Sequence, residues 1–138
     1  MPKPITPLVT VDAIIVYKKG NLVLIRRKNP PFKGNLALPG GFVDVGETVE
    51  TACIREAFEE TNINVKIRKL IGVYSNPARD PRGHVVTIAY LCVPLTDNEN
   101  PKAKDDAAAL EIVPLSKVPK IKLAFDHMEI IKDSGILS

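Results

Sequence analysis

The sequence predicts an α/β fold, built as a sandwich around a mixed β-sheet. Several runs rich in Val and Ile, separated by short turn-forming segments, predict strands joined in hairpins. Two stretches with helical spacing of apolar residues interrupt these strands, an order that favours a mixed sheet covered by helices. The chain has 138 residues, 45% of them hydrophobic. This is enough for one hydrophobic core, so we expect a single domain over residues 1–138.

The first half of the chain is predicted to contain a hairpin, a short strand and a helix. The predicted segments are a strand over residues 8–17, a tight turn over 18–21, a strand over 22–27, a turn-rich segment over 29–35, a short strand over 36–38 and a helix over about 48–61. Pro39-Gly40-Gly41 separates the short strand from the helix. Glu47 and Glu50 suit the positive end of that helix dipole.

The second half is predicted to contain two long strands, a short strand and a closing helix. The segments are strands over residues 65–74 and 85–93 with a turn-rich link over 75–83, a polar loop over 96–106, a strand over 110–113 and a helix over 123–132. Leu123, Ile130 and Ile131 are available for the buried side of the last helix.

The composition argues against several classes of function. No apolar run approaches the roughly 20 residues of a membrane span, and no signal-like segment opens the chain, so we expect a soluble, cytoplasmic protein. The net charge of +3 comes without a long basic run, and aromatic residues make up only 5%. We therefore expect neither membrane nor nucleic-acid binding. Cys53 and Cys92 are predicted to be buried thiols.

The helix over residues 48–61 carries a cluster of carboxylates. Because each helical residue advances by about 100°, Glu56, Glu59 and Glu60 share one face. Ile54 and Phe58 are expected on the opposite, buried side. Like charges at this spacing destabilise a helix by a few tenths of a kcal/mol per pair, and a divalent cation offsets this repulsion because Mg²⁺ prefers carboxylate oxygens. The alternative is a solvated acidic face in which Arg55 forms surface pairs.

The residues upstream favour the metal site over the solvated face. Gly40-Gly41 can bring its backbone close to a ligand, and Glu47 follows at a fixed distance. The pattern formed by Gly41, Glu47, Arg55, Glu56, Glu59, Glu60 and Ile63 matches G-x5-E-x7-R-E-U-x-E-E-x-G-U, where U is a bulky aliphatic residue. The chain thus resembles the Nudix hydrolases. Ala57 and Asn62 depart from the pattern, although Asn suits the left-handed conformation that ends a helix.

The resemblance implies an α/β/α sandwich and assigns roles to the residues of this motif. Glu56 and Glu60 would be the principal ligands of Mg²⁺, or of Mn²⁺. Glu59 would be a further ligand or would position water, and the backbone of Gly40 would add another ligand. Arg55 and Glu47 would form an orienting ion pair.

Residues outside the motif point to the substrate. Arg79 and Arg82 lie in a proline-stiffened loop and are predicted to present planar forks to phosphate or ribose oxygens; the alternative is a solvated loop with an Arg79–Asp80 pair. This loop, the Leu-Pro-Gly-Gly segment and Ala124-Phe125-Asp126-His127 together resemble the ADP-ribose pyrophosphatases of the family. The resemblance implies hydrolysis of ADP-ribose to AMP and ribose 5-phosphate.

Several further residues are candidates for binding or catalysis. Arg27 and Lys33 are predicted to contact phosphate, and strand alternation places only one of Arg26 and Arg27 on a given face. The candidates for the general base are Glu59, Asp105 and Asp106, the two aspartates being equally compatible with an exposed turn. His84 and His127 are expected to have structural roles.

The sequence is also compatible with two other functions. One is a Nudix hydrolase of another substrate, such as an oxidised nucleoside triphosphate or a different nucleotide sugar. The other is a non-catalytic ADP-ribose sensor, although such regulators generally carry a DNA-binding domain that we do not expect in 138 residues. Relatives often form homodimers, to which the apolar N-terminal segment is suited.

Overall fold

The protein is an α/β sandwich, as predicted. The computed structural model describes residues 2–104 and 107–137. Its elements are β1 (Leu8–Tyr17), β2 (Asn21–Arg27), β3 (Leu36–Ala37), β4 (Gly40–Phe42), α1 (Val49–Thr61), β5 (Val65–Tyr74), β6 (Val85–Pro94), β7 (Ala107–Pro114), a 3-10 helix (Leu115–Lys120) and α2 (His127–Ser134). Within these described residues, no helix is both long enough and apolar enough to span a bilayer.

Strand β1 organises a mixed sheet. It runs parallel to β6, from the pair Leu8 and Val85 to the pair Ile15 and Cys92, while β5 and β6 are antiparallel. On its other edge β1 changes partner: Val11 pairs with Gly41 of β4, whereas Val16 pairs with Leu22 of β2. Strands β4 and β2 therefore pair with different halves of β1, and the sheet divides between them.

The core lies on both faces of β1. Val11, Ala13 and Ile15 pack in the cluster that contains the buried residues of α1, whereas Ile14 packs in the cluster that contains those of α2. A strand covered on both faces reads as a continuous apolar run rather than an alternating one. Each fully buried Ile of this strand contributes about 1.5–3 kcal/mol relative to an exposed one. Two polar residues of the strand, Thr10 and Asp12, are also buried.

The prediction of which face of α1 is buried was wrong. Ile54 is 39% exposed, and the buried residues of the helix are Ala52, Cys53, Ala57, Glu60 and Thr61. Small side chains on this face let the helix axis approach the sheet closely. Consequently Glu60, expected on the open side, is buried against the sheet.

The boundaries of α1 and the state of the two cysteines agree with the sequence. The Thr48 hydroxyl accepts a hydrogen bond from the Thr51 backbone N–H, and Asn62 has the predicted left-handed conformation with φ of 62°. Cys53 and Cys92 are both buried thiols, with 3.8 Å between their Sγ atoms.

Other predicted boundaries need correction. Helix α2 begins at His127 rather than at residue 123. The preceding residues cannot be helical, because Leu123 bridges to Leu36 and Phe125 has a positive φ of 51°. Strand β4 and the 3-10 helix were not predicted, since Gly40-Gly41 has no side-chain pattern and pairs only because β1 lies beside it. Leu123, Ile130 and Ile131 are nevertheless all buried, as expected.

Candidate active site

A cavity of about 360 Å³ opens where the sheet divides beside β1. This volume lies within the range of about 300–1,000 Å³ that is usual for small-molecule sites. Side chains and backbone from β1, β2, β4, α1 and the loops around them line it. The residues that line it include Asp12, Arg27, Gly40, Gly41, Phe42, Glu56, Glu60, Arg79, Asp80, Arg82, Thr87, Phe125 and His127.

Two glycines bring the carboxylates of α1 against strand β4. Glu60 is only 6% exposed, and its Oε1 accepts a hydrogen bond from the Gly40 backbone N–H at 2.7 Å. A Cβ at Gly41 would lie 2.5–2.6 Å from the carboxylate atoms of Glu56. A side chain at Gly41 would therefore displace Glu56, whereas Glu60 is held by the backbone N–H of Gly40.

Arg55 joins the carboxylates that surround it. Its Nε and Nη2 donate to the two oxygens of Glu47 at 2.6 and 2.9 Å. Its Nη1 donates to Glu56 Oε1 at 2.7 Å and to Glu59 Oε2 at 3.1 Å. Among the carboxylates of α1, Glu59 is the most exposed, with 43% of its side chain accessible. A fourth carboxylate, Asp44, lies 3.6 Å from Nη2. One guanidinium therefore compensates for four neighbouring negative charges, and it holds Glu47 in the bidentate geometry that is strongest for this pair.

The Arg55–Glu47 pair predicts a pH-dependent contribution to stability. Hydrogen bonds from Arg55 and from the Asp44 backbone N–H lower the pKa of Glu47 from 4.5 to about 2. Because the folded-state pKa is depressed, the stabilisation is complete above the unfolded pKa and disappears as pH falls toward 2. We expect Glu47→Gln to have a lower Tm than wild type at pH 7, with the difference shrinking below pH 4.5. A difference that stayed constant down to pH 3 in thermal melts would contradict this linkage.

The guanidinium groups of the two loop arginines, Arg79 and Arg82, form ion pairs with carboxylates of the protein. Arg79 donates from Nε and Nη2 to the two oxygens of Asp126 at 2.8 and 2.6 Å, and from Nη1 to the Thr87 hydroxyl at 2.6 Å. Arg82, rather than Arg79, pairs with Asp80. Burial alone would raise the pKa of Asp80, but hydrogen bonds from Arg82 outweigh this and lower it. Both arginines line the cavity, and Arg79 is the more enclosed, with 6% of its side chain exposed.

Breaking the Arg79–Asp126 pair is expected to destabilise the protein. Arg79→Met keeps most of the aliphatic length but leaves the carboxylate of Asp126, 19% exposed, without this bidentate partner. Loss of one member of a largely buried pair reduces the free energy of unfolding by about 3 kcal/mol. The matched control is Arg26→Met, because the Arg26–Glu111 pair is 41% and 39% exposed and is worth less than about 1 kcal/mol. Equal urea midpoints for the two variants would refute the structural role of Arg79.

Sequence reasoning missed a polar network in the wall of the cavity. His127 Nδ1 accepts a hydrogen bond from the Leu38 backbone N–H at 2.9 Å, and its Nε2 lies 3.2 Å from Asp12 Oδ2. The backbone donor requires an unprotonated Nδ1, so the proton on Nε2 points at Asp12. His127 therefore has the structural role expected of it. The only sequence signal for Asp12 was a single acid within an apolar strand.

The remaining candidates fall in different places. Arg27 lines the cavity, whereas Arg26 on the other face of β2 pairs with Glu111, as strand alternation predicted. Lys33 is exposed and is not among the residues that line the cavity. Asp105 and Asp106 lie outside the described residues.

Comparison with known proteins identifies the family. A family model described as the NUDIX domain matches residues 6–134. The chain belongs to the Nudix family. The ADP-ribose pyrophosphatase of Methanocaldococcus jannaschii is 54% identical over 127 residues, which cover 92% of this Nudix chain and 72% of the relative.

Two solved Nudix structures resemble this one. The Nudix domain of Shewanella oneidensis NrtR complexed with ADP-ribose has a TM-score of 0.82 at 28% identity, covering 94% of this chain and 87% of that one. A bifunctional NMN adenylyltransferase/ADP-ribose pyrophosphatase from Francisella tularensis, complexed with AMP and a manganese ion, has a TM-score of 0.81 at 34% identity. The match covers 92% of this chain but only 40% of the Francisella chain.

Nudix hydrolases generally use divalent metal ions, and the residues here fit such an ion. Among residues 2–104 and 107–137, no three acidic, histidine or cysteine side chains are already arranged around one point; Glu56 and Glu59 are hydrogen-bonded to Arg55 instead. The donors are nevertheless all oxygens, the preference of a hard cation. The Glu56 carboxylate lies against Gly41, in space that a Cβ at this position would take.

Proposed function

We propose that this Nudix protein hydrolyses ADP-ribose to AMP and ribose 5-phosphate, with Mg²⁺ held by Glu56, Glu59, Glu60 and the backbone of Gly40. The observation that carries the proposal is the position of Glu60 and Glu56 against Gly40-Gly41, at the base of a cavity whose wall also contains Arg27, Arg79 and Arg82. The 54% identity to a named ADP-ribose pyrophosphatase supports this choice of substrate.

The bound cation would neutralise the diphosphate and lower the pKa of the attacking water. The protein's own contribution is to hold the carboxylates in place before the ion binds. Arg55 orients Glu56 and Glu59 and is itself fixed by Glu47. The Gly40 N–H orients Glu60, and Arg82 and Arg27 place positive charge in the cavity wall. These contacts keep the carboxylates next to the cavity, so that Glu56 and Glu59 would have only to turn away from Arg55 for the ion to bind.

The general base has three candidates. Glu59 is the most exposed of the three helix carboxylates and is within the reach of water. Asp105 and Asp106 lie outside the described residues and stay candidates from the sequence alone. Replacing each by Asn or Gln and comparing pH profiles of kcat distinguishes them, because loss of the base removes the acidic limb of the profile.

A substrate panel tests the proposed reaction. Purified protein with Mg²⁺ is incubated with ADP-ribose, with another nucleotide sugar and with an oxidised nucleoside triphosphate. AMP and ribose 5-phosphate should be the products from ADP-ribose. A preference of about tenfold or more in kcat/KM for the triphosphate would instead favour the alternative Nudix hydrolase.

Binding without turnover is the second candidate, favoured by the ADP-ribose bound to the NrtR Nudix domain. Saturable binding of ADP-ribose with no product after prolonged incubation with Mg²⁺ or Mn²⁺ would establish that sensor function. Formation of a homodimer also remains a prediction. Ile5 and Leu8 of the N-terminal segment are exposed, and sedimentation measurements test their involvement.

A further inference from the structure

Two phenylalanines beside the cavity adopt a backbone conformation that bulky residues avoid. Phe32 has φ of 59° and Phe125 has φ of 51°, in the left-handed region where a bulky side chain is an outlier. Their rings meet, with centroids 4.8 Å apart and planes inclined at 60°. Strain of this kind persists only where the surroundings impose it, and it is concentrated at binding sites.

The surroundings of both phenylalanines impose the conformation. In the loop that carries Phe32, Arg27 Nε donates to the Pro31 carbonyl at 2.7 Å, and the Phe32 carbonyl accepts from the Asn35 backbone N–H at 3.0 Å. Around Phe125, the preceding Ala124 N–H donates to the Leu36 carbonyl at 2.8 Å. The following residue, Asp126, is fixed by Arg79. Arg79 therefore braces the residue next to Phe125.

Packing of the core does not account for the pair. Phe32 is 40% exposed, and Phe125, although it packs partly on a small cluster of alanines and Ile25, also lines the cavity. Two cations lie over the Phe125 ring: Arg27 Cζ is 5.0 Å and Arg82 Cζ is 5.4 Å from its centroid. In the cavity wall, Phe125 thus stands next to positive charge, and the exposed ring of Phe32 extends the aromatic surface beside it. This arrangement matches a ligand with a flat base beside phosphates.

We propose that Phe32 and Phe125 form the surface on which the nucleobase of the substrate stacks. This inference rests on the proposed nucleoside diphosphate substrate and adds the residues that hold its base. Stacking on an aromatic ring recognises the π-face of a base, which the ribose 5-phosphate half of ADP-ribose lacks. The surface accordingly binds the AMP half, and the two arginines beside Phe125 hold phosphate.

The two products of the proposed reaction test this assignment, because one contains a base and the other does not. Titration calorimetry with Mg²⁺ measures Kd for AMP and for ribose 5-phosphate in wild type, Phe32→Leu and Phe125→Leu. Loss of a stacking ring is expected to raise Kd for AMP at least about fivefold. Kd for ribose 5-phosphate should change less than about twofold. For ADP-ribose, KM should rise while kcat is largely retained.

Control variants separate stacking from loss of structure. Phe32→Tyr keeps an aromatic face and should restore AMP affinity to that of wild type. Tyr17→Leu removes another ring with a nearby cation, Lys18 Nζ at 5.5 Å, but outside the residues that line the cavity, and should leave both affinities unchanged. If Phe125→Leu fails to fold in a thermal melt, the exposed Phe32→Leu still decides the question.

Three results would overturn the assignment: AMP affinity unchanged in Phe32→Leu, equal weakening of AMP and ribose 5-phosphate, or no AMP binding by wild type. The proposed reaction is judged separately. If the protein hydrolyses ADP-ribose but the Phe→Leu variants bind AMP as tightly as wild type does, the stacking surface is refuted and the reaction is not. If the Phe→Leu variants bind AMP more weakly but wild type does not hydrolyse ADP-ribose, the reaction is refuted and the stacking surface is not.

Discussion

Replacing Glu60 by Gln is expected to lower kcat for ADP-ribose at least about 100-fold, because one ligand of the proposed metal site is lost. The substitution is nearly isosteric, and the Gln side-chain oxygen can still accept the hydrogen bond from the Gly40 N–H. The fold should therefore be retained. Removing a carboxylate that is 6% exposed also relieves repulsion from its acidic neighbours, so the Tm without metal should not fall.

The metal dependence of stability distinguishes this role from a structural one. Mg²⁺ should raise the Tm of wild type through mass action, and this increase should be lost in Glu60→Gln. The matched control is Glu50→Gln on the same helix, since Glu50 is exposed and contacts Tyr90 outside the cavity. Near-normal turnover by Glu60→Gln would remove this residue from the reaction.

The second large effect is expected at Gly40. A Cβ at this position would overlap the backbone carbonyl of Val11 and the carboxylate of Asp12. Neither can move freely, since Val11 lies in the central strand and is fully buried. Gly40→Ala is therefore expected to reduce the free energy of unfolding by about 3 kcal/mol or more, the upper end of overpacking effects. Urea denaturation measures this change.

The neighbouring glycine gives a contrasting variant. At Gly41 the added Cβ would meet only the end of the Glu56 side chain, which can rotate away. Gly41→Ala should consequently keep most of its stability but lose about tenfold or more in kcat, because Glu56 leaves its position. Gly20→Ala, where a Cβ would meet nothing within 4 Å, is the control for both. If Gly40→Ala and Gly20→Ala were equally stable, the close approach of β4 to β1 would be disproved.

The features predicted best from sequence are those with local causes. Thr48 and Asn62 limit α1 through their own hydrogen-bonding and backbone preferences. The spacing of Glu56, Glu59 and Glu60 follows from the rotation per residue of any helix. Residues 65–74, with their alternating apolar side chains, form β5 at the predicted bounds. The interpretation of the motif, and with it the family, needed no tertiary information.

The features that were missed depend on partners far away in sequence. The buried face of α1 is set by the sheet it meets, which accepts Ala57 and leaves Ile54 outside. Strand β4 exists because β1 supplies its hydrogen bonds. Arg79 was predicted to face the substrate, but its guanidinium forms an ion pair with Asp126, which lies in a loop before the last helix. No periodicity in the chain encodes that pairing.

The sequence by itself determined the order of the longer strands and helices, the position of the acidic residues on one helix face and the family to which the chain belongs. Only the tertiary structure decided which carboxylates approach the backbone of Gly40-Gly41, which arginine braces a loop, and that Phe32 meets Phe125. The physical reason is the range of the interactions. Backbone preferences and helix geometry act over a few residues, whereas packing and ion pairing join whichever surfaces the fold brings together.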